Sequence, residues 1–140
     1  MGILNYTTTI KAEKTIMEIQ QILVKAGATK IVTDYKNGIP VSVTFCVIFK
    51  GNTIGFSLPA KYNGVFNSMK NDPKIPKRLL TDEQAIRVSW RIVKDWVEAQ
   101  IALIEADLAE FTEVFLPYAI TKDGRTFFDQ LDTKQLMIES

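Results

Sequence analysis

Apolar and polar residues alternate most clearly between residues 30 and 58. From Ile39 to Lys50, an apolar side chain stands at every second position without a break: Ile39, Val41, Val43, Phe45, Val47 and Phe49. A period of two is typical of a strand with one buried face. Lys30 to Tyr35 precedes this stretch across Asn37-Gly38, a dipeptide favoured in two-residue hairpin turns, and Thr53 to Leu58 follows it. The pattern predicts a three-stranded antiparallel meander.

The N-terminal residues show a shorter alternation followed by a helical period. Leu4, Tyr6, Thr8 and Ile10 share one side of the stretch that ends at Lys11, so Asn5 to Lys11 is predicted as a further strand. Apolar residues then recur at helical spacing, which predicts a helix from Ala12 to Ala26 that Gly27 ends.

The second half of the chain is predicted to be mostly helical. Tyr62 to Lys70 is predicted as a short helix, and the prolines between residues 71 and 78 indicate a loop. Thr81, with Gln84 three residues later, forms a capping-box pattern that opens a helix over residues 82 to 108. The C-terminal segment from Phe111 carries further helical turns. We predict one α+β domain over residues 1–140, in the order β-α-β-β-β, a short helix, one long buried helix and a C-terminal helical segment.

The apolar face of the long helix is unusually wide. Its apolar side chains cover roughly 220° of the circumference, whereas a surface helix needs little more than about 100°. The helix must therefore be covered on at least two sides, one by the sheet and the other by the C-terminal segment or a second copy. We take this width as a prediction of a homo-oligomer.

The residue types exclude several catalytic sites. The chain has no histidine, so it has no Ser-His or Cys-His pair and no histidine-bearing zinc site. Cys46, its one cysteine, stands in the middle of a predicted strand, where a structural role is favoured. No glycine-rich phosphate loop occurs. We expect no catalytic residues, no cofactor and no metal; an enzyme that uses carboxylates and a metal is a remote alternative.

Charge is distributed unevenly, although the formal net charge is only +1. Residues 1–60 carry +3, residues 61–94 carry +5 and residues 95–140 carry −7. Basic residues with interleaved aromatics suit an anionic ligand, because arginine pairs with phosphate and aromatic rings stack on bases. The candidate ligand-binding residues are Arg87, Arg91, Lys94, Arg78, Lys77, Tyr62, Trp90 and Gln100.

Three binding functions remain open for this basic segment. The first is a small anionic ligand, such as a nucleotide or a nucleotide-derived signal, bound at an oligomer interface. The second is nucleic acid, which the small net charge disfavours. The third is a host protein bound through an exposed apolar face. The alternative to all three is that Trp90 and Phe66 belong to the core and the charges are solvated.

The sequence gives a prediction of location as well. The N-terminus lacks the basic start and apolar core of a signal peptide, and no segment approaches the roughly 18 consecutive apolar residues of a membrane span. With a single cysteine, no disulfide within the chain is possible. We expect a cytoplasmic protein without a membrane partner.

Four segments carry a resemblance to a known family. The chain resembles short hypothetical proteins encoded by bacteriophages and prophages at Arg87 to Arg91, Asp95 to Gln100, Val114 to Tyr118 and Asp123 to Thr126. The resemblance brings no catalytic or binding motif. It implies a phage accessory protein in the bacterial host cytoplasm, where such proteins counter host defence by sequestering nucleotide signals or by blocking a defence protein.

Overall fold

A computed structural model describes residues 3–131. Its elements, in chain order, are α1 (Ala12–Lys25), β1 (Lys30–Lys36), β2 (Ile39–Phe49), β3 (Asn52–Pro59), α2 (Tyr62–Lys70), α3 (Asp82–Glu105), α4 (Phe111–Phe115) and α5 (Phe127–Gln130). Short 3-10 turns occupy Lys77–Leu79 and Leu116–Tyr118. The predicted α+β class, with its meander and long helix, is confirmed.

The sheet is an antiparallel meander in the order β1-β2-β3. Both hairpins turn through two residues of positive φ, which is the geometry that a type I′ two-residue turn requires. The φ angles are 53° and 78° at Asn37-Gly38 and 50° and 82° at Lys50-Gly51. Residues that lie opposite each other share a face, so Phe45 of β2 and Phe56 of β3 point together into the core.

The predicted strand from Asn5 to Lys11 is wrong. No strand forms there, because the backbone turns at Asn5, where φ is 67°. The carbonyls of Tyr6 and Thr8 instead accept hydrogen bonds from the Gln84 side chain, each at 2.9 Å. The predicted capping box is therefore half formed: Thr81 Oγ1 accepts from the Gln84 N–H at 3.1 Å, but the Gln84 side chain does not turn back to Thr81.

The unbroken alternation predicted for β2 is also wrong at its start. The pairing with β1 shifts after Asp34, which lies opposite Ser42, while Tyr35 lies opposite Pro40. The extra residue is Val41 on β2, and this β-bulge turns Pro40 inward, where it is buried. From Val43 onward the predicted inner face is correct.

Both long helices end in a left-handed residue. At the end of α1, Gly27 has a φ of 111°, as predicted. The helix α3 ends at Glu105, three residues before the predicted end, because Asp107 has a φ of 60° and the Leu108 N–H donates to the Leu103 carbonyl at 2.9 Å. Its 24 residues still span about 36 Å.

Two hydrophobic clusters lie on opposite sides of α3. The main cluster joins α1, the inner face of the sheet, α4 and one side of α3, around Phe45, Trp90 and Phe115. The second cluster joins α2, the loop after it and the N-terminal segment to the other side of α3, around Met69 and Val88. The wide apolar face of α3 is thus covered on two sides within one chain, which removes the ground on which we predicted an oligomer.

The C-terminal part of the described chain closes one edge of the sheet. The Ile120 N–H donates to the Gly55 carbonyl of β3 at 2.8 Å, and Ala119 forms a bridge with Phe56. The predicted final helical turn is α5. The single-domain prediction also covers residues 1–2 and 132–140, which lie outside the described residues. Among helices within residues 3–131, none has the length and apolar character needed to cross a bilayer.

Candidate functional site

The basic residues predicted on α3 are all engaged with carboxylates. Arg87 Nη2 lies 2.5 Å from the Glu83 carboxylate, and Arg91 Nη1 lies 2.6 Å from the Glu18 carboxylate of α1. Lys94 pairs with Glu98 one turn further along the helix. A cation that already has a carboxylate partner must lose or share it before it can bind an anion, so these three positions form no ready-made site.

The other predicted residues are dispersed. Trp90 is fully buried, and its indole N–H donates to the Pro40 carbonyl at 3.3 Å, so it belongs to the core. Gln100 is half-buried on α3, and Lys77 and Arg78 are exposed on the 3-10 turn before it. Ser89, a buried polar residue on the same helix, satisfies its hydroxyl within the helix by donating to the Ala85 carbonyl at 2.7 Å.

Tyr62 lines a cleft that none of the other predicted residues lines. The cleft, of about 750 Å³, lies between the first hairpin, the end of β3 and the start of α2. Volumes of roughly 300–1,000 Å³ are typical of small-molecule sites. Its lining residues are Lys36, Asn37, Ile39, Val41, Ser42, Ser57, Pro59, Ala60, Lys61, Tyr62, Asn63 and Gly64.

The charge in this cleft has one sign. Lys36 and Lys61 are exposed at its border, and no aspartate or glutamate lines it. Within residues 3–131, neither lysine takes part in an ion pair. The Asp34 carboxylate lies opposite Ser42 on the neighbouring strand and accepts from its hydroxyl at 2.7 Å, but Asp34 does not line the cleft. The border of the cleft is therefore positive.

Hydrogen-bond donors complete the cleft. Lys61 is the N-cap residue of α2 and provides no side-chain cap. The Tyr62 N–H donates to the Ala60 carbonyl at 3.1 Å, whereas no N-cap side chain accepts from the amides of Asn63 and Gly64. Because the Ser42 hydroxyl donates to Asp34, it has no proton left for a ligand. The hydroxyl of Ser57 and the side-chain amide of Asn63 also line the cleft and have no side-chain hydrogen bond within residues 3–131, so both can donate to a ligand.

Two other clefts differ from this one because they mix the signs of charge. A groove of about 810 Å³ between α1 and α3 is lined by Met17 and Val24 together with the Lys94–Glu98 pair. A cleft of about 560 Å³ beside Gly38 places Arg87 next to its partner Glu83. Neither offers an anion a set of cations without competing carboxylates.

Lys36 was not predicted, and Lys61 was placed in the basic cluster around the proline loop but not among the candidate ligand-binding residues. Lys36 lies 25 positions before Lys61 in the chain, and the meander brings the end of β1 close to the start of α2. The available signal was a lysine beside the hairpin turn and a second one after Pro59, where β3 ends. That signal depends on knowing that the hairpin and the helix start meet.

Neither a search for metal-ligand groups nor a comparison with known proteins points to another site. In the described part of the chain, no group of three or more cysteine, aspartate or glutamate side chains is placed to hold a metal ion. No family model, no curated protein and no solved structure matches the chain. The fold and the cleft therefore define it as an α+β domain with a lysine-bordered cleft.

Proposed function

We propose that this protein is a non-enzymatic binder of a small phosphate-bearing ligand, of the size of a nucleotide, in the cleft between the first hairpin and α2. The observation that carries the proposal is the pair Lys36 and Lys61, two lysines without an ion-pair partner within residues 3–131, at a cleft with no carboxylate in its lining. A lysine ammonium binds phosphate as a point charge.

The rest of the cleft supports a ligand larger than phosphate itself. Tyr62, the first residue of α2, packs partly against the second cluster and is half-buried, so part of its side chain remains exposed to the cleft. The start of the helix favours negative charge. An aromatic side chain next to two lysines that have no ion-pair partner within residues 3–131 suits a ligand that joins a base to a phosphate. The resemblance to phage and prophage proteins supports one use for such binding, the sequestration of a nucleotide signal of the host.

Calorimetry with ADP, ADP-ribose and a cyclic dinucleotide tests this proposal. We expect at least one of them to bind, and we expect the Lys36→Ala/Lys61→Ala double variant to lose about tenfold or more in affinity, because two charge-assisted contacts are removed. The matched control is Lys74→Ala/Lys77→Ala, which removes the same charge from exposed positions outside the cleft. Equal losses in both variants, or no binding by the native protein, would contradict the proposal.

Nucleic-acid binding is a second candidate, supported by a different surface. Lys70, Lys74, Lys77 and Arg78 are exposed around the proline loop and make no ion pair within residues 3–131. Binding through this surface requires a steep loss of affinity with added salt. A gel-shift titration at several salt concentrations, repeated with Lys77→Ala/Arg78→Ala, separates this function from ligand binding in the cleft, which that substitution leaves unchanged.

A further inference from the structure

The two edges of the sheet differ in what lies beside them. The edge formed by β3 is covered by residues 119–120, which continue the hydrogen bonding beyond it. The edge formed by β1 has no strand beside it in the described part of the chain. Backbone amides and carbonyls on such an edge can pair with a further strand. Two side chains of β1 are also strongly exposed, Val32 at 50% and Tyr35 at 58%.

The strand β1 is regular enough to accept a neighbour. The bulge in the first hairpin places its extra residue, Val41, on β2, so β1 runs without interruption from Lys30 to Asp34. Lys30, Val32 and Asp34 lie opposite Cys46, Thr44 and Ser42, on the face of the sheet away from the core. The charges and the exposed valine of β1 thus share one face.

From these features we propose that two copies of this chain pair antiparallel through their β1 strands, centred on Val32. A two-fold axis perpendicular to the sheet requires that residues opposite each other share a face, so the centre must fall on a residue. Centring on Val32 places Lys30 opposite Asp34 of the other copy twice and brings the two valines together. Opposite charges directly across a strand pair are stabilising.

Centring the strand pairing on any other inner residue of β1 is less favourable. Centring on Thr33 places Lys30 opposite Lys36 twice, and centring on Asp34 places two aspartates opposite each other; both arrangements put like charges together. Centres at Ile31 or Tyr35 leave only three residues of each strand in the pairing. A Tyr35 centre would also place Asp34 opposite Lys36, so the charges and the length of β1 together select the Val32 register. In that register the two terminal lysines of β1, Lys30 and Lys36, do not face each other.

The Asp34 carboxylate can accept a further contact from Lys30 of the other copy, in addition to those it makes within its own chain. Both of its hydrogen bonds, from Ser42 at 2.7 Å and Thr44 at 2.9 Å, go to Oδ2, and Oδ1 has no hydrogen-bond partner within residues 3–131. Lys30 is exposed and makes no ion pair there. The assembly is a continuous six-stranded sheet, and it does not depend on ligand binding in the cleft.

A mixing experiment tests the register. In sedimentation, we expect the native protein to dimerise and Lys30→Glu and Asp34→Lys each to weaken the dimer about tenfold, since each substitution puts two pairs of like charges opposite each other. Mixed in equal amounts, the two variants should form a heterodimer. In that heterodimer, the introduced glutamate faces the introduced lysine, and native Lys30 faces native Asp34. Lys36→Glu is the control and leaves the Val32-centred dimer unchanged.

A cross-link keeps the proposal testable if Asp34→Lys fails to fold. In a Cys46→Ser background, Val32→Cys places two thiols directly opposite each other, within reach of a disulfide, and should give a covalent dimer on mild oxidation. Ile48→Cys in the same background is the control, because that side chain is on the same face and 64% exposed. A native protein that sediments as a monomer, a dimer strengthened by Lys36→Glu, or equal cross-linking of both cysteine variants would overturn the proposal.

Discussion

The cations of α3 and the cations of the cleft differ in what lies beside them. Arg87, Arg91 and Lys94 each contact a carboxylate. Lys36 and Lys61 make no ion pair within residues 3–131 and face a cleft without carboxylates. All of these residues contribute equally to the net charge. They differ in the free-energy cost of binding an anion, because a cation already paired with a carboxylate must first lose or share that partner.

This difference shows why a count of basic residues is a poor guide to a binding site. Two of the three pairs on α3 join residues four positions apart, so the sequence already contained them as Glu83–Arg87 and Lys94–Glu98. Such pairs stabilise the helix slightly and neutralise its surface. A site for an anion needs cations that the fold leaves unpaired. The following variants test this division through the free energy of unfolding, from the largest expected change to the smallest.

The largest change is expected for Trp90→Ala. Trp90 was predicted to bind a ligand, but it is fully buried in the main cluster, so truncation leaves a cavity and should cost about 3–5 kcal/mol. Its indole hydrogen bond to the Pro40 carbonyl is lost as well. Urea denaturation measures the change. A native-like midpoint combined with lost ligand binding would show instead that Trp90 belongs to a binding site.

Gln84→Ala should have the next largest effect. The side chain is 4% exposed and donates to two backbone carbonyls, those of Tyr6 and Thr8, which the substitution leaves without this donor. Unpaired buried polar groups cost about 1–3 kcal/mol. The matched control is Gln100→Ala on the same helix, which is half-buried and has no side-chain hydrogen bond within residues 3–131. Equal effects would mean that the N-terminal segment is not held by Gln84.

The contacts of Gln84 also explain which parts of the fold were predictable from the sequence. The hairpins follow from local signals, namely alternating residues and two dipeptides that adopt positive φ. The segment before α1 has similar alternation, but its partner is Gln84, 76 positions beyond Thr8, and no local pattern encodes that contact. The bulge at Val41 was equally invisible, because it arises from pairing between strands and not from the order of residues in one.

The candidate site was less predictable than the fold for the same reason. Tyr62 and Lys61 come from the start of α2, whereas Lys36 comes from the end of β1, and only the three-dimensional fold brings them to one cleft. The basic charge and the aromatic residue were recognisable from the sequence alone. The sequence could not show that Arg91 is paired across two helices with Glu18, a contact spanning 73 positions.

Arg91→Met tests the paired side of the comparison and should cost about 1 kcal/mol, the upper range for partly exposed pairs. Its side chain is 15% exposed and that of Glu18 is 29%, so solvent screens the pair in part. Methionine keeps most of the packing of the aliphatic stem. A double-mutant cycle with Glu18→Gln isolates the pair from other losses. Ligand affinity should not change; if it falls with the stability, Arg91 reaches the ligand.

The smallest change in stability is expected for Lys36→Ala/Lys61→Ala, within about 0.5 kcal/mol of the native protein, because both side chains are exposed. The same variant should have the largest effect on ligand affinity. Arg91→Met should lower the free energy of unfolding without changing ligand affinity. The double lysine variant should lower ligand affinity without changing the free energy of unfolding. If the lysine variant unfolds more easily by as much as Arg91→Met does, its lysines have structural partners, and the distinction between paired and unpaired cations no longer identifies the site.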